Sequence, residues 1–468
     1  MLSRLWQGAV LALYGSLLRL VTPLYLLRLL WRSRREPLYR HAVGPRRGLY
    51  GRPRPAPGML WLHAVSLGET RAAKPLVDCL RRQRPDLRLL FTHGTATVLA
   101  AGELLLRTGD AQVWLPCDTP GATRRFLRHF RPAAGVLMET ELWPNLMRQA
   151  QQARVPVLQA NARLSPRSAS RGERFSALLH PAAARLTGAL AQTVDDALRL
   201  RAAGVPDVVV CGNLKFDMTP PPKLLARGLQ WRQALPRPVV LAASTREGEE
   251  AELLALWRNL PTPRPLLLLV PRHPQRFDAV AALVQSAGLT LLRRSSWTDQ
   301  PPPDAAQADV WLGDSMGEMP ICYACADVAL LGGSFGHYGG QNLIEAAACG
   351  CPVVMGPHTF NFAQAAAKSL AAGAAVRVDT LAQGVTAALS LAQDPERNAW
   401  VQRALDFAAA HRGAAREMAE RVLRLLPAPG PDAEPPPPST QAPTSESGTS
   451  ALMDLGPTTS GGADSRPG

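Results

Sequence analysis

The sequence predicts an α/β protein: two doubly wound domains facing each other across a cleft, preceded by a membrane-associated helix. Three observations carry that expectation. Short apolar runs alternate with amphipathic stretches along most of the chain. A proline-containing stretch at 216–236 divides those runs into two sets. The first 35 residues are far more apolar than the Pro/Arg/Gly segment after them. A chain of 468 residues is long enough for two domains with substantial cores.

The first element is the apolar segment LWQGAVLALYGSLLRLVTPLYLLRLLW (5–31), interrupted by Arg19 and Pro23. An arginine at bilayer depth costs about 2.5–3.5 kcal/mol on insertion scales. A spanning helix is therefore imperfect, and a helix lying in the interface is at least as favourable. A helix buried in the protein's own core is the third reading. No small-residue cleavage site follows, so a cleaved signal peptide is not expected. The cluster Arg28, Arg32, Arg34 and Arg35 keeps the body of the protein on the cytoplasmic side. Residues 1–35 are thus read as an anchor or interfacial helix and the Pro/Arg/Gly stretch 36–57 as a linker.

The strand candidates come in order. In a first domain (58–215) they are 59–65, 87–93, 133–140, 155–161, 186–192 and 207–213. In a second domain (237–426) they are 238–244, 265–271, 308–314, 327–333 and 351–357. These runs are apolar on both faces, as in a parallel sheet covered by helices. Stretch 216–236 reads as the connection, and the final helical stretch 397–426 as a candidate to pack back on the first domain. The Pro/Ser/Thr/Gly-rich residues 427–468 have too little apolar content for a core and read as disordered.

The formal net charge is +15 with 46% hydrophobic residues, which points to an anionic partner: nucleic acid, a phosphorylated ligand or an anionic membrane. Coding bias toward arginine explains the charge equally well, since Lys74, Lys215, Lys223 and Lys368 are the only lysines. No RNA-binding signature or basic–aromatic interleaving is present, so nucleic acid is not an expected partner. The seven cysteines are odd in number and lack a repeated spacing, which fits a reducing compartment and small buried hydrophobes better than zinc ligands.

Polar residues bunch just after the strand candidates, where ligands bind in open α/β sheets. In HAVSLGET (63–70), Glu69 opens a helix, either as a dipole partner or as a general base. In METELWPNL (138–146), Glu139 and Glu141 leave a strand end together, as paired carboxylates for acid/base chemistry do. Lys215 in GNLKFD (212–217) either faces a leaving phosphate or oxyanion, or forms an ion pair with Asp217. Arg272 in PRHPQRF (271–277) follows a leucine-rich strand and suits bidentate anion binding. GDSMGEM (313–319) offers a glycine-bounded turn, and GGSFGHYGGQNLIEA (332–346) resembles a phosphate loop before a helix. The last does not fit G-x-G-x-x-G and stands late in its domain, so a nicotinamide dinucleotide is not expected.

Taken together, HAVSLGE, METELWPN, NARLS (161–165), GNLKFD, the 244–250 run, PRHPQRF, GDSMGEM and the 332–362 block resemble 3-deoxy-D-manno-octulosonic acid (Kdo) transferases. These are glycosyltransferases with two Rossmann-like domains, the GT-B fold, and the resemblance runs to about residue 425. It implies transfer of Kdo from CMP-Kdo to the lipid A precursor, with inversion, for lipopolysaccharide synthesis. It implies partners CMP-Kdo, the lipid A precursor and the lipid surface of the inner membrane at its cytoplasmic face, and no metal or other cofactor. By motif position, Glu69 becomes the proton acceptor, and Glu139 and Lys215 the transition-state stabilisers. Pro271, Arg272, Met316, Gly317, Glu318, Asn342, Leu343, Ile344 and Glu345 would bind CMP. One departure stands out: Gln341 and Leu343-Ile344 replace the His and Pro-Leu of the family's GGHNPLE block.

Overall fold

The computed structural model describes residues 2–428 apart from 35, 52, 53 and 104, so the expected tail lies outside the described residues from 429 onward. The body consists of two parallel seven-stranded sheets. The first contains β1 (Leu60–Ala64), β2 (Leu89–His93), β3 (Ala111–Trp114), β4 (Ala134–Met138), β5 (Val157–Ala162), β6 (Gly188–Ala191) and β7 (Val208–Val210), in spatial order 3-2-1-4-5-6-7. The second contains β8 (Val239–Thr245), β9 (Leu266–Pro271), β10 (Leu291–Arg293), β11 (Val310–Leu312), β12 (Val328–Leu331), β13 (Val353–Met355) and β14 (Ala375–Arg377), in order 10-11-9-8-12-13-14. The strand order reverses between β1 and β4 and between β8 and β12. A doubly wound sheet opens a crevice beyond its strand ends at such a point. Glu69 and Glu139 follow β1 and β4; Arg246 and Gly332 follow β8 and β12.

Both sheets are covered on both faces, which is why the central strands are fully buried and read as unbroken apolar runs. Three strands do not announce themselves in the sequence: β3, β10 and β14. All three are sheet edges of three or four residues, and partly solvent-facing. These three edges have neither the length nor the two-sided burial that makes a run legible, whereas the edge strand β7 is marked by three consecutive valines.

The connecting segments depart from the expected boundaries. Stretch 36–57 is not a free linker over its first part, because Pro37–Ala42 and Val43–Arg46 form helical turns that bury Tyr39 and Ala42 beside Trp114 and Leu29. The buried Arg46 donates to the carbonyls of Leu115 and Gly94 at 2.9 and 2.6 Å. Within 216–236, Pro222–Gln233 is a helix whose Trp231 is buried in the second domain's core, edge-on to Trp297 and Trp311. The last helix, Ala414–Leu423, lies within the stretch 237–426 but packs back on the first domain, as expected for 397–426, and buries Ala415, Met418, Ala419 and Val422 in that domain's core. Asp217 caps it by accepting from the N–H groups of Gly413 and Ala415 at 2.6 and 2.7 Å. The domains are therefore crossed twice by the chain.

The N-terminal helix, Leu2–Arg32, is long and apolar enough to cross a membrane. One face of it is docked on the first domain. Leu11 and Leu29 are buried, Gly15 lies against Pro120 and Asn145, and Tyr14 donates a hydrogen bond to Asp118 at 3.1 Å. The opposite face leaves Trp6, Leu13, Leu17, Leu20, Leu24, Leu27 and Trp31 exposed. Asp118 also accepts from the N–H groups of Asn145 and Leu146, so it ties this helix to the start of the helix Pro144–Gln152.

Candidate active site

The first wall of the cleft is built on the ends of β1, β4 and β7. Ser66 caps the helix Leu67–Gln83, accepting from the Glu69 N–H at 3.2 Å. Glu69 answers with its carboxylate: the Val65 N–H donates to Oε2 at 2.9 Å and the Ser66 hydroxyl to Oε1 at 3.0 Å. This reciprocal arrangement holds the carboxylate still at the helix start. Burial pushes its pKa up to about 7, Glu139 and Glu141 push the same way, and the two hydrogen bonds pull partly back. A carboxylate titrating there is a competent base near neutral pH. His63, under the same strand end, is held neutral by burial at about 3 and bonds to Thr92, so it serves packing.

Glu139 adopts a left-handed backbone (φ 54), and its N–H donates to the Ala160 carbonyl at 2.9 Å. That kink turns the chain off β4 so that Glu139 faces Lys215, whose Nζ lies 3.9 Å from Oε1. The alternative partner of Lys215, Asp217, is occupied in capping the last helix. Lys215 also lies 5.4 Å from the Phe362 ring of the second domain, so its charge stands in the cleft between the domains. Glu141 is half-buried, and burial raises its pKa as well.

The second wall gathers cations at the ends of β8 and β9. Pro271 ends β9, and the Arg272 N–H donates to the Thr245 carbonyl at 3.0 Å. Burial lowers the Arg272 pKa, and Arg71 and Arg246 lower it further while Glu345 opposes them. Arg71 comes from the helix that carries Glu69, so a cation of the first domain acts on Arg272 and Glu345 of the second. Arg246 bonds to His273 at 2.7 Å and lies over the Tyr338 ring at 4.6 Å. Glu345 is raised by burial, with Arg71 and Arg272 pulling the other way. Glu345 is the carboxylate whose charge acts on the Arg272 guanidinium.

The glycine-rich segment works differently from the expected phosphate loop. Its N–H donors at Gly333 and Gly336 are taken by the buried Glu249 carboxylate, and the Gly340 N–H by the Gly333 carbonyl. Gly332 is required by packing: a Cβ there would meet the Ser244 and Ala243 carbonyls at 2.6 and 2.7 Å. Asn342 caps the six-residue helix Leu343–Ala348 by accepting from the Ile344 N–H at 3.2 Å. In 313–319, Glu318 is held by Arg294 at 2.8 Å and by the Ser315 hydroxyl, which leaves Met316 exposed and Gly317 in a positive-φ turn.

Residues 41–218 match the family model described as 3-deoxy-D-manno-octulosonic-acid transferase. A 3-deoxy-D-manno-octulosonic acid transferase of Bordetella pertussis is 47% identical over 417 residues, covering 86% of this chain and 96% of that one. The chain belongs to the Kdo transferase family. A Haemophilus influenzae member is 38% identical over 360 residues, covering 75% of this chain and 82% of its own. The fold agrees: a glycosyltransferase from Rickettsia africae superimposes with a TM-score of 0.52 at 10% identity, over 79% of this chain and 98% of that chain. The two domains have the GT-B arrangement.

The Gln341 side chain lies next to Gly333: its Nε2 is 3.2 Å from where a Cβ on Gly333 would stand. Sequence reasoning missed Arg71 and Arg246. Arg246 had a signal, because it follows the Ser244-Thr245 pair at a strand end, where Ser244 is left-handed (φ 58) and β8 bulges. Arg71 had none: only the packing of the domains brings it to Arg272.

Proposed function

We propose that this chain transfers Kdo from CMP-Kdo to the phosphorylated lipid A precursor with inversion at the anomeric carbon. The observation that carries the reading is Glu69, a fixed carboxylate titrating near neutrality beside Glu139 and Lys215, opposite an arginine cluster on the facing domain. Glu69 takes the proton of the acceptor hydroxyl as its oxygen attacks the anomeric carbon. The bond from that carbon to the CMP phosphate oxygen breaks, and CMP leaves with the electron pair. Arg272, with Arg246 and Arg71, takes up the charge that grows on the phosphate, and Glu139 faces the positive charge that grows on the sugar ring. Lys215 steadies Glu139 and stands beside the departing oxygen. Pro271 and Arg272, the 316–318 turn and the segment 342–345 would bind CMP, with Glu345 accepting from the ribose hydroxyls.

Purified protein given CMP-Kdo generated in situ and the tetraacyl precursor is expected to release CMP and form Kdo-bearing product. Transfer from a UDP-sugar but not from CMP-Kdo would overturn the reading.

The N-terminal helix is proposed to lie flat on the inner membrane at its cytoplasmic face. Its docked contacts run from Leu11 to Leu29, on the order of 27 Å along a helix and close to the roughly 30 Å hydrocarbon thickness. A helix pressed on a water-soluble domain over that length has no stretch left for the bilayer core. The exposed row of leucines and tryptophans then enters the interface. Leu17→Glu with Leu24→Glu is expected to lower binding to anionic vesicles at least tenfold by cosedimentation while leaving the melting temperature unchanged. Undiminished binding would count against the interfacial row.

A further inference from the structure

Three amides behind Lys215 have no part in the chemistry above: Asn161, Gln192 and Asn213. We infer that they form a positioning ring that fixes Lys215 relative to Glu139, an inference that rests on the role proposed for Lys215. The residues come from three adjacent strand ends, Asn161 on β5, Gln192 after β6 and Asn213 after β7. Asn161 is fully buried and left-handed (φ 51), and Gln192 is buried as well.

The ring has only one self-consistent direction. The Leu214 N–H donates to Asn161 Oδ1 at 3.0 Å, and the Lys215 N–H donates to Asn213 Oδ1 at 3.0 Å. Backbone N–H groups only donate, so both side-chain oxygens are fixed by them. Asn213 Nδ2 then faces Gln192 Oε1 at 3.0 Å, and Gln192 Nε2 faces the Asn161 carbonyl, which only accepts, at 2.9 Å. Both ends of Asn213 and Gln192 and the Asn161 Oδ1 are thereby assigned, while the buried Asn161 Nδ2 has no hydrogen-bond partner among the described residues. The same strand holds the other partner, since the Ala160 carbonyl accepts from the Glu139 N–H. Asn161 and its neighbour Ala160 thus set both ends of the 3.9 Å Lys215–Glu139 pair. Buried Leu214 and Phe216 pin the short turn on either side of Lys215. A lysine side chain is long and flexible, so a fixed base is what gives its ammonium a defined place.

Satisfying two backbone donors in a buried turn is the simpler role for these amides, and a double-mutant cycle separates the two. Gln192→Ala and Asn213→Asp are each made in the wild type and in Lys215→Ala, and kcat, donor KM and melting temperature are measured. Either change is expected to lower kcat roughly 10- to 100-fold, with donor KM within about threefold. In the Lys215→Ala background the same change is expected to alter kcat less than about twofold, because the residue being positioned is gone. Equal fold-losses in both backgrounds would overturn the ring as a positioning device while leaving the transfer reaction standing. Wild-type kcat in Lys215→Ala alone would overturn the role of Lys215 and the ring with it. Asn213→Asp keeps the acceptor for the Lys215 N–H, so it provides the cycle if Gln192→Ala does not fold.

Discussion

Glu69→Gln is expected to lower kcat by about 10²–10⁴-fold, the range for losing a general base. The substitution keeps the shape of the side chain and removes its ability to take a proton. In the wild type, kcat should fall as pH drops through about 7, where Glu69 becomes protonated and loses its basicity. The residual activity of the variant should lack that acidic limb. Stability should move the other way. The fold raises the Glu69 pKa above its unfolded value, so folding favours the protonated form. The unfavourable contribution therefore grows as pH rises above the unfolded pKa and is complete above about 7. An amide carries no such cost, so at pH 8 the variant should melt no lower than the wild type. A variant with normal turnover, or an unchanged acidic limb, would remove Glu69 from the role of base.

Glu139→Gln is expected to lower kcat by about 10²–10³-fold with little change in either KM, the pattern of a group that acts on charge present only in the transition state. Its carboxylate sits at a kinked strand end beside Lys215 and adds to the raised pKa of Glu69. The same substitution should therefore shift the acidic limb of the residual activity to lower pH, because one of the charges holding the Glu69 proton has gone. Raised donor KM with unchanged kcat would place Glu139 in ground-state binding instead. The pH shift separates it from a residue that only shapes the loop.

Most of the candidate site was legible as strings of residues. Glu69, Glu139, Lys215 and Arg272 each follow an apolar run directly, and ligand sites gather beyond the carboxyl ends of such strands. Other parts were legible but misleading. The glycines of 332–340 look like an anion cradle, yet Gly333 and Gly336 spend their N–H groups on Glu249, whose approach across the domain no local pattern announces. In the sequence Lys215 faced either a leaving phosphate or oxyanion, or an ion pair with Asp217. The last helix, which returns to the first domain, claims Asp217, and Lys215 lies beside Glu139.

By itself the sequence determined the two-domain α/β architecture, the central buried strands, the apolar amphipathic start and the family. Those properties reside in local composition, in two-sided apolar runs and in ordered motifs. The tertiary structure alone decided the edge strands β3, β10 and β14 and the docking of the N-terminal helix. It also decided the reach of Arg71 across the cleft and the amide ring behind Lys215. Each of these is a contact between segments distant along the chain, set by which surfaces remain to be buried once the two sheets have formed.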